Sequence, residues 1–365
     1  MVRALIQVFP ELSRELEWAS LGELPTPITR ATGVMRELGA AGELYVKRDD
    51  LSSPIYGGNK VRTLELLFGD ALRAGAQRIY ATGAYGSNHA TATVLHAPRV
   101  GLEPGAVLFA QPYSQTAADN LRVTLGRSRD RLLLPHWSLL PYGMFAARRR
   151  SRRAGRRPYV MVPGGATPLG ALGYVSAAFE LAEQIRRGEL PSPQSIVVGV
   201  GSTCTSAGLL VGLHHAARLG IGFEKAPLLR SIRVSPWPVT ARFRILALAV
   251  RASRFLAVLT GKPELELSAA ELGQRFEVDG GFLGAGYGLP TPSGREAIAL
   301  FAGAELAGLD TTYSAKAAAG AIAALRAGAQ GPIVFWSTKS SVPLPAIAAD
   351  ELAGLPRRTL RFLER

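Results

Sequence analysis

A chain of 365 residues with one cysteine, Cys204, cannot form an internal disulfide, and it lacks the paired cysteines of a zinc finger. Long apolar runs are also missing. The most apolar later stretch, Leu246 to Leu259, is cut by Arg251 and Arg254 and falls short of the ~20 residues a bilayer span requires. The opening MVRALIQVFPELSRE has too short an apolar run for a signal peptide, so a reducing cytoplasm is the expected location. No GKS or GKT follows a glycine-rich loop, and no GxGxxG occurs, which removes the P-loop and dinucleotide-binding readings. No metal site is expected.

What the chain does have is 47% hydrophobic residues with 40 glycines and 24 prolines, the composition of a folded body with many strand-to-helix connections. Its length favours two domains, or one large α/β body with a lobe. The net charge is +14, and seven arginines between Arg148 and Arg157 account for half of it. No aromatics interleave within that run, so it reads as a solvated helix-and-turn surface, and a nucleic-acid partner is not expected.

Short apolar runs alternate with Gly/Ser/Thr/Asn segments and helical patterns, as in β-α units around parallel sheets. Strands are expected at Ile79 to Thr82, Ala106 to Ala110, Tyr159 to Val162, Ile196 to Val200 and Ile333 to Trp336. Helices are expected at Val61 to Ala74, with Val61, Leu64, Phe68 and Leu72 on one face, at Thr205 to Leu219, and after Ser293 and Ser314.

Three segments carry candidate chemistry. In LYVKRDDLSSPIYGGNKVRTLE (44–65), Gly57 and Gly58 permit close backbone approach to a planar ligand, and Asn59 and Lys60 follow at a helix start. A desolvated lysine there suits imine formation and proton shuttling; a surface lysine after a turn fits the same residues. In YATGAYGSNHATATVLHA (80–97), Ser87, Asn88 and His89 offer donors beside a helix N-terminus, or an ordinary N-cap with a solvated histidine. In IVVGVGSTCTSAGLLVGL (196–213), the Gly201, Ser202, Thr203, Cys204, Thr205 loop forms either a phosphate cradle or a plain β-α turn.

In this order, the three segments resemble the fold-type II pyridoxal 5'-phosphate (PLP) enzymes, within them the D-cysteine desulfhydrase and 1-aminocyclopropane-1-carboxylate (ACC) deaminase group. LPTPITR (24–30), VPGGATPLGALGY (162–174), GYGLPTPSGREAIAL (286–300) and LDTTYSAKAAAGAI (309–322) extend the likeness over most of the chain, Leu219 to Leu283 being the weakest part. The resemblance implies an α/β, two-domain, tryptophan-synthase-β-like fold of parallel-type sheets flanked by helices. A large cofactor domain of residues 1–74 plus 175–365 would hold a small inserted domain of residues 75–174. It also implies a homodimer acting on a small amino acid. By the same resemblance Lys60 matches the lysine that carries PLP as an imine, Asn88 the asparagine bonded to the cofactor's phenolic oxygen, and Ser87 and His89 the receivers of the substrate carboxylate. Gly201 to Thr205 match the phosphate cup, and Tyr287 and Tyr313 match two active-site tyrosines that otherwise read as packing aromatics.

Within the group, Ser314, which the resemblance places among the substrate contacts, stands where the deaminases carry glutamate, Thr338 where they carry leucine, and SNH replaces SNQ at 87–89. All three lean toward the desulfhydrase pattern: removal of the α proton by Lys60, loss of a β leaving group, and release of pyruvate and ammonia. A hydroxyl near the pyridine nitrogen makes a milder electron sink than a carboxylate would. The family's late HTGG motif is here Ser337, Thr338, Lys339, Ser340, and Thr203 and Cys204 replace a Gly-Gly pair, with Ala315 replacing another glycine. Lys339 is therefore expected to clash with, or newly contact, a substrate or the cofactor. ACC-like ring opening, β-substitution, and a noncatalytic PLP-binding or interaction protein using the arginine-rich surface stay open at this point.

Overall fold

A computed structural model of the protein describes residues 3–304, 306 and 308–364. Its strands, in chain order, are β1 (Ile28–Arg30), β2 (Glu43–Arg48), β3 (Arg78–Ala84), β4 (Glu103–Phe109), β5 (Asp130–Leu134), β6 (Pro158–Val160), β7 (Ser195–Val200), β8 (Leu228–Arg233), β9 (Phe276–Asp279) and β10 (Pro332–Ser337). They make two sheets. The larger has the order β1-β2-β10-β7-β8-β9, with β1 antiparallel to β2 and every other pair parallel. The smaller, β5-β4-β3-β6, is parallel throughout and is drawn from residues 78–160.

Parallel strands covered on both faces must be apolar on both, which is why they read as continuous apolar runs. In SIVVGV of β7 and PIVFWS of β10, every residue after the first is buried. All five expected strands form; four keep their ends within a residue or two of the expected ones, and β4 begins three residues earlier than expected, at Glu103. Less legible were β5, β8 and β9, whose charged residues Asp130, Arg230 and Glu277 interrupt the pattern. Each of the three finds an ion-pair partner.

The helix Lys60–Arg73 is packed on nearly all sides rather than along a single stripe: every residue from Lys60 to Gly69 is buried. Leu66 joins the core under the larger sheet, whereas Val61, Leu64, Leu67, Phe68 and Ala71 join the core of the smaller one. Leu72, expected on the buried face, lies in the last turn and is exposed. Glycines allow its neighbours close: a Cβ on Gly69 would sit 2.0 Å from the Glu17 carbonyl, and one on Gly173, in the helix Pro168–Arg186, 2.3 Å from the Arg62 carbonyl. The expected helix after Gly201 spans Cys204–Arg218, and those after Ser293 and Ser314 are Pro292–Gly303 and Ser314–Arg326. The arginine run falls on the helix Leu140–Arg153 and the turn after it. Among the described residues no helix is long and apolar enough to cross a membrane, and no group of three or more His, Cys, Asp or Glu is placed to hold a metal ion.

A charged cluster sits at the crossing of these helices and β2. Arg62 donates to both oxygens of Asp49, at 2.8 and 2.9 Å, and to both of Glu180, at 2.8 and 2.9 Å. Lys47 reaches Glu180 at 2.6 Å, and Tyr174 donates to Asp49 at 2.5 Å. Burial alone would raise both carboxyls; the Arg62 guanidinium reverses this and holds them below the ordinary carboxylate range. This brace fixes the first turn of the Lys60 helix against β2 and the helix Pro168–Arg186.

Candidate active site

Lys60 is the first residue of its helix, reached through a turn that only glycines fit. Gly58 has φ +92°, and a Cβ there would lie 2.6 Å from the Thr338 carbonyl; one on Gly57 would lie 2.3 Å from the Asp50 carbonyl. Backbone bonds pin the turn at both ends, Gly58 N–H to the Asp49 carbonyl at 2.7 Å and Asn59 N–H to the Thr338 carbonyl at 2.9 Å. The Lys60 side chain is buried, with Nζ 2.9 Å from Ser202 Oγ and 3.4 Å from the Gly164 carbonyl. It makes no ion pair among the described residues, unlike buried Lys47. Desolvation lowers its pKa, with Cys204 nearby acting the other way. The surface-lysine reading is therefore ruled out.

The loop that meets Lys60 follows β7. Gly201 precedes Ser202, and Thr203 adopts φ +64°, the one non-glycine with positive φ among the described residues. Such a conformation costs a side chain about 1–2 kcal/mol, and this is where the chain has threonine in place of the resembled family's glycine. Thr205 Oγ1 accepts from Asn59 Nδ2 at 2.9 Å, sewing the Lys60 turn to the loop. Cys204 corrects the expected cup. Its Sγ–H points to the Gly165 carbonyl at 3.4 Å and its N–H bonds the Ser202 carbonyl at 2.7 Å, so both donors are spent inside the protein. Its thiol is buried and pushed up by desolvation.

Ser87 caps the helix Asn88–His96, its Oγ accepting from Ala90 N–H at 3.3 Å, as the N-cap reading required. Asn88 Oδ1 accepts from Tyr56 at 3.0 Å and from Asn120 Nδ2 at 2.8 Å. His89 is not a solvated first-turn residue. It is buried, both ring nitrogens lack a hydrogen-bond partner, and desolvation, followed by the Lys60 charge, lowers its pKa to about 3.

Tyr287 and Tyr313 share a hydroxyl–hydroxyl hydrogen bond, with their rings edge to face at 6.0 Å. Tyr313 borders the loop: a Cβ on Gly201 would lie 3.2 Å from its ring. Ser314 departs from the expected substrate contact. It is buried and its hydroxyl donates to Asp310 Oδ1 at 2.7 Å, while Asp310 also accepts the N–H groups of Thr312, Tyr313 and Ser314. The helix start therefore claims that hydroxyl.

The late segment tolerates its side chains by turning them aside. Gly58 and Lys339 form an isolated antiparallel bridge, and Ser340 Oγ accepts from Gly57 N–H at 2.9 Å. Lys339 avoids the expected clash by lying over Tyr56, with Nζ 2.9 Å from the Tyr56 hydroxyl. Ser337 Oγ is buried without a partner. Thr338 is buried beside the Lys60 turn and touches it through its carbonyl. Sequence reasoning missed Tyr56, Asn120 and Gly164, which reach the site through contacts with distant residues, and Asp310, which clasps the nearby Tyr313 and Ser314.

A family model described as pyridoxal-phosphate dependent enzyme matches residues 19–338. The chain belongs to this family. As a pyridoxal-phosphate-dependent enzyme it is similar to the D-cysteine desulfhydrase of Salmonella paratyphi C, 34% identical over 322 residues, 86% of this chain and 91% of that protein. The protein of the same name from Salmonella heidelberg matches equally. Among solved structures, an ACC deaminase homologue superposes with a TM-score of 0.75 at 32% identity, covering 94% of this chain and 98% of that one. A hydrogen sulfide-producing enzyme from Fusobacterium nucleatum, at 13% identity and a TM-score of 0.55 over 87% and 95% of the two chains, shares the fold.

The residues present fit pyridoxal phosphate. Lys60 offers an amine without an acidic partner, burial favours its neutral, nucleophilic form, and the loop at Gly201 to Thr203 opens onto the N-terminus of a 15-residue helix, where phosphate is favoured. The buried, unpartnered His89 supplies a polar group still seeking a ligand.

Proposed function

We propose that this enzyme is a lyase that acts on D-cysteine, or a closely similar small amino acid, removing the α proton and the β sulfur and, with one water, giving pyruvate, ammonia and sulfide. The observation that carries the reading is Lys60 Nζ, buried with no acidic partner among the described residues and 2.9 Å from Ser202 Oγ of the loop. The 34% identity to D-cysteine desulfhydrases supports the choice of substrate.

Bound pyridoxal phosphate supplies the conjugated ring that withdraws electrons from the substrate's α carbon. Lys60 would carry the cofactor and take the α proton on Nζ, a task that burial assists by lowering the pKa of the amine. Gly201, Ser202, Thr203, Thr205 and Asn59 would hold the phosphate side, through the loop and its tie to the Lys60 turn. Asn88 would donate to the phenolic oxygen, and Thr338, buried beside the Lys60 turn, would serve the pyridine nitrogen. The Ser87 hydroxyl, which uses its oxygen on Ala90 N–H, keeps its own proton for the substrate carboxylate, with neutral His89 beside it. The Tyr287–Tyr313 pair, both raised by burial, holds a proton for the departing sulfur. Ser314 acts through Asp310, steadying Tyr313.

The division into residues 1–74 plus 175–365 and 75–174 belongs to this proposal, with sheet membership as its support. So do a homodimer in solution and residence in the cytoplasm, where one buried thiol suits a reducing medium.

The deciding assay loads the protein with pyridoxal phosphate and follows sulfide and pyruvate from D-cysteine, L-cysteine and ACC. D-cysteine turnover, abolished in Lys60→Ala, is the expected result. 2-Oxobutyrate from ACC with no sulfide from either cysteine would replace this reading with ring opening. Cofactor uptake without turnover of any of them would favour a binding protein.

A further inference from the structure

Beside the site, side chains from four distant parts of the chain form one file of hydrogen bonds. Asn120 Nδ2 donates to the Gly86 carbonyl at 3.0 Å and to Asn88 Oδ1 at 2.8 Å. A carbonyl only accepts, so the Gly86 contact fixes which end of the Asn120 amide is nitrogen. The Asn88 atom facing it must then be oxygen. Tyr56 donates to the same Oδ1 at 3.0 Å. Lys339 Nζ lies 2.9 Å from the Tyr56 hydroxyl and 4.8 Å from the ring centroid. An ammonium has donors alone, so the tyrosine oxygen accepts from Lys339 and its own proton goes to Asn88. The Asn120 and Tyr56 bonds both end on Asn88 Oδ1, which leaves the other end of that amide, the donor Nδ2, for another partner.

We infer that Lys339 and Tyr56 are positioning residues that lock Asn88 as the hydrogen-bond donor to the cofactor's phenolic oxygen and hold a positive charge behind it. This rests on the proposed roles of Lys60 and Asn88. The charge arrives with a residue that replaces a glycine of the resembled family, so it is a property of this chain.

A cation near the phenolic oxygen favours the more negative state of the attached cofactor, so it makes protonation at Lys60 Nζ harder. Removing it raises the pH at which that proton leaves. The other groups facing the site are Cys204 and His89 around Lys60, and Asp310, Tyr287 and Tyr313 in the surroundings of Tyr56, whose carbonyl bonds His96 at 2.9 Å. His89 is uncharged and the tyrosines are protonated through the neutral range, leaving Lys339 as the cation beside Tyr56.

The test titrates the visible band of the Lys60-bound cofactor, between about pH 6 and 10, in wild type, Lys339→Met, Lys339→Arg and Tyr56→Phe. In Lys339→Met the midpoint should rise by roughly 0.5–1 unit, and Lys339→Arg, also a pure donor, should restore it. Tyr56→Phe keeps the buried ring and breaks the file, so it should shift the midpoint in the same direction and decides the matter if Lys339→Met does not fold. A Lys339→Met midpoint within ~0.2 unit of wild type, or Lys339→Arg moving with it, overturns the inference while leaving the Lys60 assignment standing. A wild-type band absent, or persisting in Lys60→Ala, overturns both.

Discussion

Replacing Arg62 by methionine would leave Asp49 and Glu180 buried with no guanidinium between them. Arg62 makes four charge-assisted bonds of 2.8–2.9 Å to these carboxylates and a fifth to Thr26 Oγ1 at 3.1 Å, all in buried surroundings. Breaking a buried network from one side costs about 3–5 kcal/mol, because the remaining charges stay desolvated. Lys47, still 2.6 Å from Glu180, softens the loss at that carboxylate and leaves Asp49 the more exposed to it. The sign with pH follows from both carboxyls lying below their ordinary range in the native protein. Their contribution is complete above the unfolded carboxylate range near pH 4 and is lost as pH falls below it. In Arg62→Met burial raises both carboxyls instead, so protonation rescues the variant as pH falls. Urea denaturation at about pH 7.5 and pH 5 measures this: a deficit of about 3–5 kcal/mol at the higher pH that narrows at the lower. A deficit under ~1 kcal/mol, equal at both, would refute the account of Arg62 as the group that makes this crossing tolerable.

Thr203→Gly releases the left-handed strain at φ +64° and should raise stability by roughly 0.5–1 kcal/mol in thermal unfolding; a loss would mean that the threonine side chain stabilises the loop. Gly58→Ala must fit a Cβ 2.6 Å from the Thr338 carbonyl at φ +92°, and should cost on the order of 2 kcal/mol together with cofactor uptake measured by absorbance. His89, lowered to about 3, should show no imidazole titration by NMR between about pH 5 and 8, and a midpoint in that window would contradict its burial. Converting Arg148, Arg149, Arg152 and Arg153 to glutamine should leave unfolding and turnover within error, because these residues lie on an outer helix remote from Lys60.

The β-α organisation was legible because parallel strands covered on both faces must be apolar, so runs such as IVVGV and IVFW stand out. Glycines required by the Lys60 turn and the hydroxyl-bearing loop before Cys204 were readable for the same local reason. What escaped was set by distance along the chain. Asn120 is an ordinary polar residue of the helix Gln115–Arg127 until folding brings it against Asn88. Arg62, Asp49 and Glu180 read as scattered charges until three elements cross. Cys204 and Ser314 were assigned by position in a motif, and their side chains instead serve the packing of Gly165 and the clasp of Asp310. The substitutions at 337–340 looked like damage to a glycine motif; Tyr56, also invisible as a partner, gives Lys339 somewhere to go.

The place of β10 in the larger sheet has a consequence for biosynthesis. This strand comes last in the chain, yet it lies between β2 and β7, and the Lys60 turn is tied to the residues just after it, from Thr338 to Ser340. A nascent chain can therefore display the lysine, the Asn88 loop and the phosphate loop on the ribosome without owning a finished site. Until β10 is threaded in, two inner strand edges face water, a period in which chaperones would be most useful and cofactor capture least productive.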